Sequence, residues 1–270
     1  MSLIITGREA DPLLLDSYSG AAVAYSLRQL SWAYGGPAVR VRRDSNNAEQ
    51  DFTATEVSDG TLATWVGTGN NGFVTTWYDQ SGNGGHATQT STTLQPQIVS
   101  SGALITKTGK PVVSYSGGLK FLTLSINSLL LNRARVDAYI VKDTSDTEYI
   151  LFNGATSAFS YVASAGNSST TLINGYGTPT LYANGTQFTG STRADIYTFL
   201  NGYKVEVHQN ASTVPFGGTS WGYFDIGSYE RSTGIVYEGT IQELIFYTSD
   251  QSAKRSLIEA NINAHYSIYP

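Results

Sequence analysis

The stretch Trp77-Tyr78-Asp79-Gln80-Ser81-Gly82-Asn83 gathers the groups best suited to binding a neutral, hydroxyl-rich ligand. Asp, Gln and Asn offer directional hydrogen bonds, and an adjoining indole or phenol ring offers a flat apolar face for stacking. The same residue types also build tight loops, because Asp79 and Ser81 can accept bonds from nearby backbone N–H groups. Trp77, Tyr78, Asp79, Gln80 and Asn83 are therefore candidate sugar contacts, with an internal structural role as the alternative. Arg42, flanked by Arg40 and Arg43, offers a guanidinium to an acidic sugar or else pairs with Asp44, Glu49 or Asp51. Tyr229-Glu230 adds a hydroxyl and a carboxylate. Glycoside hydrolysis needs a pair of carboxyl groups ~5–9 Å apart across the scissile bond. Glu230, Asp225 and Glu238 are the ones to suspect, with Asp79 across a cleft. Asp143, Asp146 and Asn167 could contribute oxygens to a calcium site but nothing in their spacing demands one, and His86, His208 and His265 are scattered. No metal and no cofactor are expected.

The elements that must position these groups are mostly strands. Val23, Leu27 and Leu30 fall at helical spacing after Asp16-Ser17, which predicts a helix over 21–30 stopped by Gly35-Gly36-Pro37. Residues 38–42 alternate as a strand, and Asp59 is placed to cap a short helix over 62–66. Residues 73–78 form a β-rich run that delivers the loop 79–85. Beyond residue 96 the pattern is strand and turn, with candidate strands at 111–115, 136–141, 149–152, 159–163, 180–183, 203–209 and 240–247. Asn-Gly pairs such as Asn184-Gly185 mark turns, since both residues tolerate positive φ. Asp250 precedes a last helix in which Ile258, Ile262 and Tyr266 lie on one face. The organisation expected is an N-terminal arm over 1–15 and a single domain over 16–270.

Three stretches resemble the catalytic domain of α-L-arabinofuranosidases of the B kind and their bacterial and phage relatives. The first runs from Ala24-Tyr25-Ser26-Leu27-Arg28-Gln29-Leu30 through Gly36-Pro37-Ala38-Val39-Arg40-Val41-Arg42-Arg43-Asp44-Ser45-Asn46-Asn47-Ala48. The second is Trp77 to Gly84 continued by His86-Ala87-Thr88-Gln89, and the third is Ile226-Gly227 with Tyr237-Glu238-Gly239. The resemblance implies an all-β fold, a concanavalin A-like (laminin-G-like) jelly-roll sandwich of two antiparallel sheets with short N- and C-terminal helices, and a sugar ligand. It does not carry the family's carboxylates across. Phe159-Ser160-Tyr161 stands where the family places its nucleophilic Glu, and Ser228-Tyr229 where it places its acid/base Asp. No Glu occurs between Glu148 and Glu206, and the family's adjacent cysteine pair is absent because the chain has no cysteine. No catalytic residue is assigned on this reading.

Composition narrows the partners. Sixteen Lys+Arg against 21 Asp+Glu leave a formal charge of −5, with only 14 % of residues charged, so no basic field exists to hold nucleic acid. No apolar run approaches the ~18 residues of a membrane span, so membrane insertion is not expected. The apolar stretch of Met1-Ser-Leu-Ile-Ile-Thr-Gly-Arg-Glu is too short for a secretory signal. A surface of Ser, Thr, Asn, Gln, Gly and Tyr suits sugars better than phosphates. These features lead to the expectation of a non-catalytic, lectin-like structural protein of a tailed-phage virion, on a fibre, baseplate or head surface. It would be made in the host cytoplasm, bind a bacterial surface glycan, contact other virion proteins and form a homo-oligomer, with a trimer favoured. A glycoside hydrolase acting on surface polysaccharide and a purely structural decoration domain are the alternatives.

Overall fold

The computed structural model describes residues 12–124, 129–130, 135–144, 149–154, 160–164, 180–210, 224–228 and 236–270. Within them the chain is mostly β. Seventeen strands join in one continuous hydrogen-bonded network, and a further pair of two-residue strands stands apart. All the ladders are antiparallel.

The backbone of the network is the strand Val136–Thr144. It pairs along its length with Gly202–Asn210 on one side and Gly239–Tyr247 on the other. Its side chains alternate between two cores, as the two-residue period of a strand requires. Val136, Ala138 and Ile140 enter a large cluster with Trp77, Leu244 and Phe246. Tyr139 and Val141 enter a second, with Val205, Ile245 and the C-terminal helix residues Ile258 and Ile262. Burial on both faces explains the unbroken apolar run at its centre, Ala138 to Val141. The network holds two groups of ladders that meet at the short strand Val113–Ser114. That strand pairs with Gly239–Tyr247 on one side and, through Ser114 and Gln97 alone, with Gln97–Ser100 on the other.

The segment expected to be a helix over 21–30 is instead a strand, Ala21–Ser26. It pairs with Gly239–Tyr247, for instance Ala24 with Ile245 and Ser26 with Glu243. All six of its residues are buried, Val23 in one core and Ala24 in the other. A segment apolar on both faces has no amphipathic signature, so the helical spacing of Val23, Leu27 and Leu30 was fortuitous and edge pairing outweighed the helix propensity of alanine. Gly35-Gly36-Pro37 accordingly closes a loop, not a helix. Asp16 lies in a one-turn helix, Leu14–Ser17, and Leu14 and Leu15, read from the sequence as part of an arm, are buried.

The remaining helices follow their local chemistry. Thr53 and Glu56 form a capping box on Ala54–Ser58, and Thr192 and Asp195 form one on Arg193–Leu200. Asp59 accepts the N–H of Thr61 at the start of Thr61–Val66, as expected. The last helix is Arg255–Tyr266; Asp250 binds Ser252 in the turn before it and does not cap it. Asn184 and Gly185, at φ 51° and 78°, make the tight turn that joins Tyr182 to Gln187.

Candidate functional site

The motif 77–83 turns inward. Trp77 is completely buried, its ring 5.8 Å from that of Tyr25, so it offers no face to a ligand and its expected role as a stacking platform is corrected. It ends the strand Gly72–Trp77, paired with Val39 on one side and Ala87 on the other, which leaves its side chain in the interior. Asp79 is 1 % exposed. Its carboxylate accepts the N–H groups of Ala24 at 2.8 Å, Ser81 at 2.9 Å and Gly85 at 3.0 Å, and the Ser81 hydroxyl at 2.8 Å. Gln80 is 3 % exposed and gives both ends of its amide to backbone: Nε2 donates to Ser26 O and Arg28 O, and Oε1 accepts from Leu30 N–H. Asn83 is exposed, but its amide donates to the carbonyls of Ala21 and Ala22. For Asp79 and Gln80 the internal role holds, and direct sugar contact through the Asp79 carboxylate is excluded by its full set of donors.

Arg42 is likewise absorbed. Its Nε donates to Gln95 at 2.7 Å and Nη1 to Asn47 at 2.8 Å, while the guanidinium lies 4.9 Å from the Phe73 ring centre. Arg40 forms the expected pair with Asp51, whose carboxylate also takes the Tyr78 hydroxyl at 2.8 Å. Tyr78 is half-buried with its ring against His86. Tyr229 and Glu230 lie outside the described residues. Asp225 is buried and accepts the Thr123 hydroxyl at 2.6 Å; Glu238 accepts the N–H groups of Gly117 and Gly118, each at 3.0 Å. Among the described residues no three His, Asp or Glu side chains cluster as metal ligands.

What the motif holds in place is the loop 27–37, and this loop carries Trp32, a residue the sequence reading passed over. Trp32 is 56 % exposed. Its backbone N–H is fixed by the Asp16 carboxylate at 3.2 Å, which also takes the Ser31 hydroxyl at 2.7 Å. Desolvation is the largest single influence on the Asp16 carboxyl and raises its pKa, but hydrogen bonds from Ser31, Trp32 and Leu13 together outweigh it and hold the group below its ordinary value. Gln29 closes the loop on itself by donating to Ser31 O and Tyr34 O, and Tyr34 donates to Pro37 O. Beneath lies the buried Leu30, whose carbonyl accepts from Leu15 N–H. The signal that could have revealed Trp32 is its context: a large aromatic outside any strand or helix period, set among Ser31, Ala33, Gly35 and Gly36.

A groove of about 400 Å³ reaches the Trp32 loop through Ser31 and Ala33, which line it together with Asp16, Ser19, Tyr34 and Gln80 among others. Through Tyr34 and Gln80 it adjoins a depression of about 200 Å³ with Gln29, Thr53 and Thr55. Through Gln29 and Thr55 that depression adjoins a pocket of about 220 Å³ reaching Arg28 and His265. The lining is rich in hydroxyl and amide groups, and Trp32 stands exposed on the same loop, between the lining residues Ser31 and Ala33. A polar trough with an exposed aromatic side chain on an adjoining loop is chemically matched to sugar rings, whose hydroxyls need directional partners and whose C–H faces meet the electron-rich face of an aromatic.

No protein-family model and no curated protein sequence matches the chain. Solved structures do. A GH54 α-L-arabinofuranosidase soaked with a cyclic sulfate inhibitor superposes with a TM-score of 0.59 at 15 % identity, over 95 % of this chain and 65 % of that one. A glutamate-to-glutamine mutant of a GH54 α-L-arabinofuranosidase soaked with 4-nitrophenyl α-L-arabinofuranoside gives 0.56 at 14 % identity, with the same 95 % and 65 % coverage. An arabinofuranosidase complexed with arabinofuranosyl-α-1,2-xylobiose gives 0.56 at 14 % identity, over 93 % of this chain and 64 % of that one. The chain has the fold of these GH54 arabinofuranosidases and spans just under two thirds of their length.

Proposed function

We propose that this chain is a non-catalytic carbohydrate-binding protein whose recognition surface is the Trp32 loop and its flanking groove. The observation that carries the reading is the combination of exposure and restraint at Trp32: the residue is 56 % exposed, while Asp16 holds its backbone N–H and Gln80 holds Arg28 and Leu30 ahead of it. Single exposed apolar side chains are ordinary on protein surfaces. One carried on a loop this heavily bonded, between two residues that line a polar groove, has a backbone already in place and gives up little entropy there when it stacks on a ligand.

The two groups of ladders that meet at Val113–Ser114 are, on this reading, the two sheets of a concanavalin A-like jelly-roll sandwich. The likeness to arabinofuranosidases supports a sugar ligand, and the mismatch of Ser160 and Ser228 with that family's carboxylates supports binding without hydrolysis. The absence of cysteine and the resemblance of the first motif to phage-encoded relatives support a place on a tailed-phage particle, among other virion proteins and facing a bacterial glycan.

The test is a glycan-array screen of the purified protein and of Trp32→Ala, with released sugar assayed in the same wells. Binding without release is expected, weakened roughly tenfold by Trp32→Ala, the equivalent of about 1.4 kcal/mol of stacking. Trp32→Ala should leave the thermal midpoint unchanged. Release of sugar would replace this reading with the hydrolase and direct attention to Glu230. Silence in both channels would leave a structural decoration domain.

A further inference from the structure

We infer that the groove system ends in a subsite for a sugar carboxylate, formed by Arg28 and Lys110, so that the preferred ligand is a uronate-bearing polysaccharide. The inference deepens the carbohydrate-binding reading and rests on it.

The pocket of about 220 Å³ at this end is lined by Arg28, Gln29, Thr55, Ser58, Lys110 and His265, among others. Arg28 is fixed from behind: its Nε and Nη2 donate to the two oxygens of Glu243 at 2.7 and 3.0 Å, and its face lies 5.5 Å from the Tyr266 ring centre. Glu243 is fully buried and takes the Ser26 and Tyr266 hydroxyls as well, at 2.8 and 3.1 Å. The Tyr266 hydroxyl also engages the guanidinium, and beyond Glu243 and Tyr266 no further side-chain acceptor meets it among the described residues. A rigid guanidinium with N–H groups to spare at the edge of a pocket needs no reordering to receive an oxygen.

Lys110 supplies the second contact. Its backbone is engaged, pairing with Lys107 and accepting from Gln242 Nε2 at 3.3 Å, but its ammonium has no carboxylate partner among the described residues. The Arg28 charge is balanced by Glu243; the Lys110 charge is not. A protein of net charge −5 thus places an unbalanced cation in a concave site already supplied with hydroxyls and amides. Two single donors on separate side chains suit the two oxygens of a carboxylate. Glu243 occupies the Nε–Nη2 edge of Arg28, so a ligand meets the group at its Nη1 end. His265 registers the same field. Burial above all, then the Arg28 and Lys110 charges, bring its pKa down to about 4 against the opposing pull of Glu243, so at neutral pH it is an uncharged hydrogen-bonding wall.

The test measures affinity for a panel of uronate-containing bacterial polysaccharides, each beside its carboxyl-reduced, neutral form. The wild-type chain is expected to bind the acidic forms at least about tenfold more tightly. Lys110→Gln should erase that preference while retaining affinity for the neutral forms. Lys254→Gln makes the same change in net charge at the other end of a 12-residue helix, roughly 16 Å from His265, and should leave the preference intact. Equal binding of acidic and neutral forms, or a preference that Lys110→Gln does not alter, overturns the carboxylate subsite and leaves the Trp32 surface standing. Failure of every polysaccharide in both forms overturns the carbohydrate-binding reading itself.

Discussion

The backbone N–H of Leu30 donates to the side-chain oxygen of Gln80 at 2.9 Å, fifty residues away in the chain. The amide nitrogen of Gln80 completes the connection by donating to Ser26 O at 3.0 Å and Arg28 O at 2.9 Å. Where the strand Ala21–Ser26 ends and its ladder partners run out, one side chain takes the place of a neighbouring strand. The chain that leads to the exposed Trp32 is held because a buried glutamine grips Leu30, two residues before it in the sequence.

Replacing Gln80 with leucine keeps approximately the same volume and orphans three buried backbone groups. An unsatisfied buried polar group costs ~1–3 kcal/mol. Water reaches some of these positions once the loop loosens, so a loss of about 3 kcal/mol is expected by urea denaturation. The Leu30 amide should also exchange with deuterium much faster than in wild type. An unchanged exchange rate at Leu30 would show that the loop is held by something else.

Gly227, in the Ile226-Gly227 pair of the third motif, has φ +95°, and a Cβ there would sit 2.3 Å from Cδ1 of Tyr115. Tyr115 is itself fully buried against Tyr237, so neither ring can retreat. Gly227→Ala should cost upwards of ~3 kcal/mol, combining overpacking with a left-handed backbone. Gly185→Ala provides the contrast: φ is +78° but nothing lies within 4 Å, so only the backbone penalty of ~1–2 kcal/mol applies. Similar thermal midpoints for the two variants would refute the packing account.

These positions show what was readable in the sequence. The strands Val136–Thr144, Gly202–Asn210 and Gly239–Tyr247 were legible because long β-branched and aromatic runs bounded by turns leave few alternatives. The segment 21–30 was misread because a strand buried on both faces carries no period. The importance of Trp77 to Asn83 was legible, but its direction was not: Asp79 meets Ala24 across 55 residues and Arg42 meets Gln95 across 53, and no local pattern encodes such partners. Trp32 escaped notice for the opposite reason. Its signal was isolation from every pattern, and motifs draw the eye toward clusters.

A second buried network tests how the core tolerates charge. Lys142, Glu206 and His208 have no exposed side-chain surface; Nζ of Lys142 lies 2.8 Å from Glu206 Oε1, and His208 Nε2 lies 3.2 Å from Oε2. Burial raises the Glu206 pKa, but Lys142 and His208 more than reverse that and hold it below the ordinary value. Its contribution is therefore present above the unfolded-state pKa and is lost as pH falls through the folded one. Glu206→Gln, which strands the Lys142 ammonium, should cost ~3–5 kcal/mol. Lys142→Met combined with Glu206→Gln should recover a large part of it. A double variant as unstable as the sum of the singles would mean that the two do not act as a pair.

His265 should set where acid begins to weaken the fold. Its folded pKa is about 4 against an ordinary 6.5, brought down by burial first and then by the Arg28 and Lys110 charges, with Glu243 pulling the other way. Between those values the unfolded chain binds a proton that the folded chain refuses, so stability falls as pH drops from about 6.5 towards 4. Glu243 behaves as a separate, lower step. Burial opposes its ionisation, Arg28 and Ser26 outweigh burial, and its contribution declines only below the ordinary 4.5. His265→Gln should therefore flatten the thermal midpoint between pH 6.5 and 4.5 while leaving the fall below 4.5 in place. The measurement is the midpoint of both chains by calorimetry across that range. Parallel curves would place the proton uptake elsewhere and remove His265 as its source.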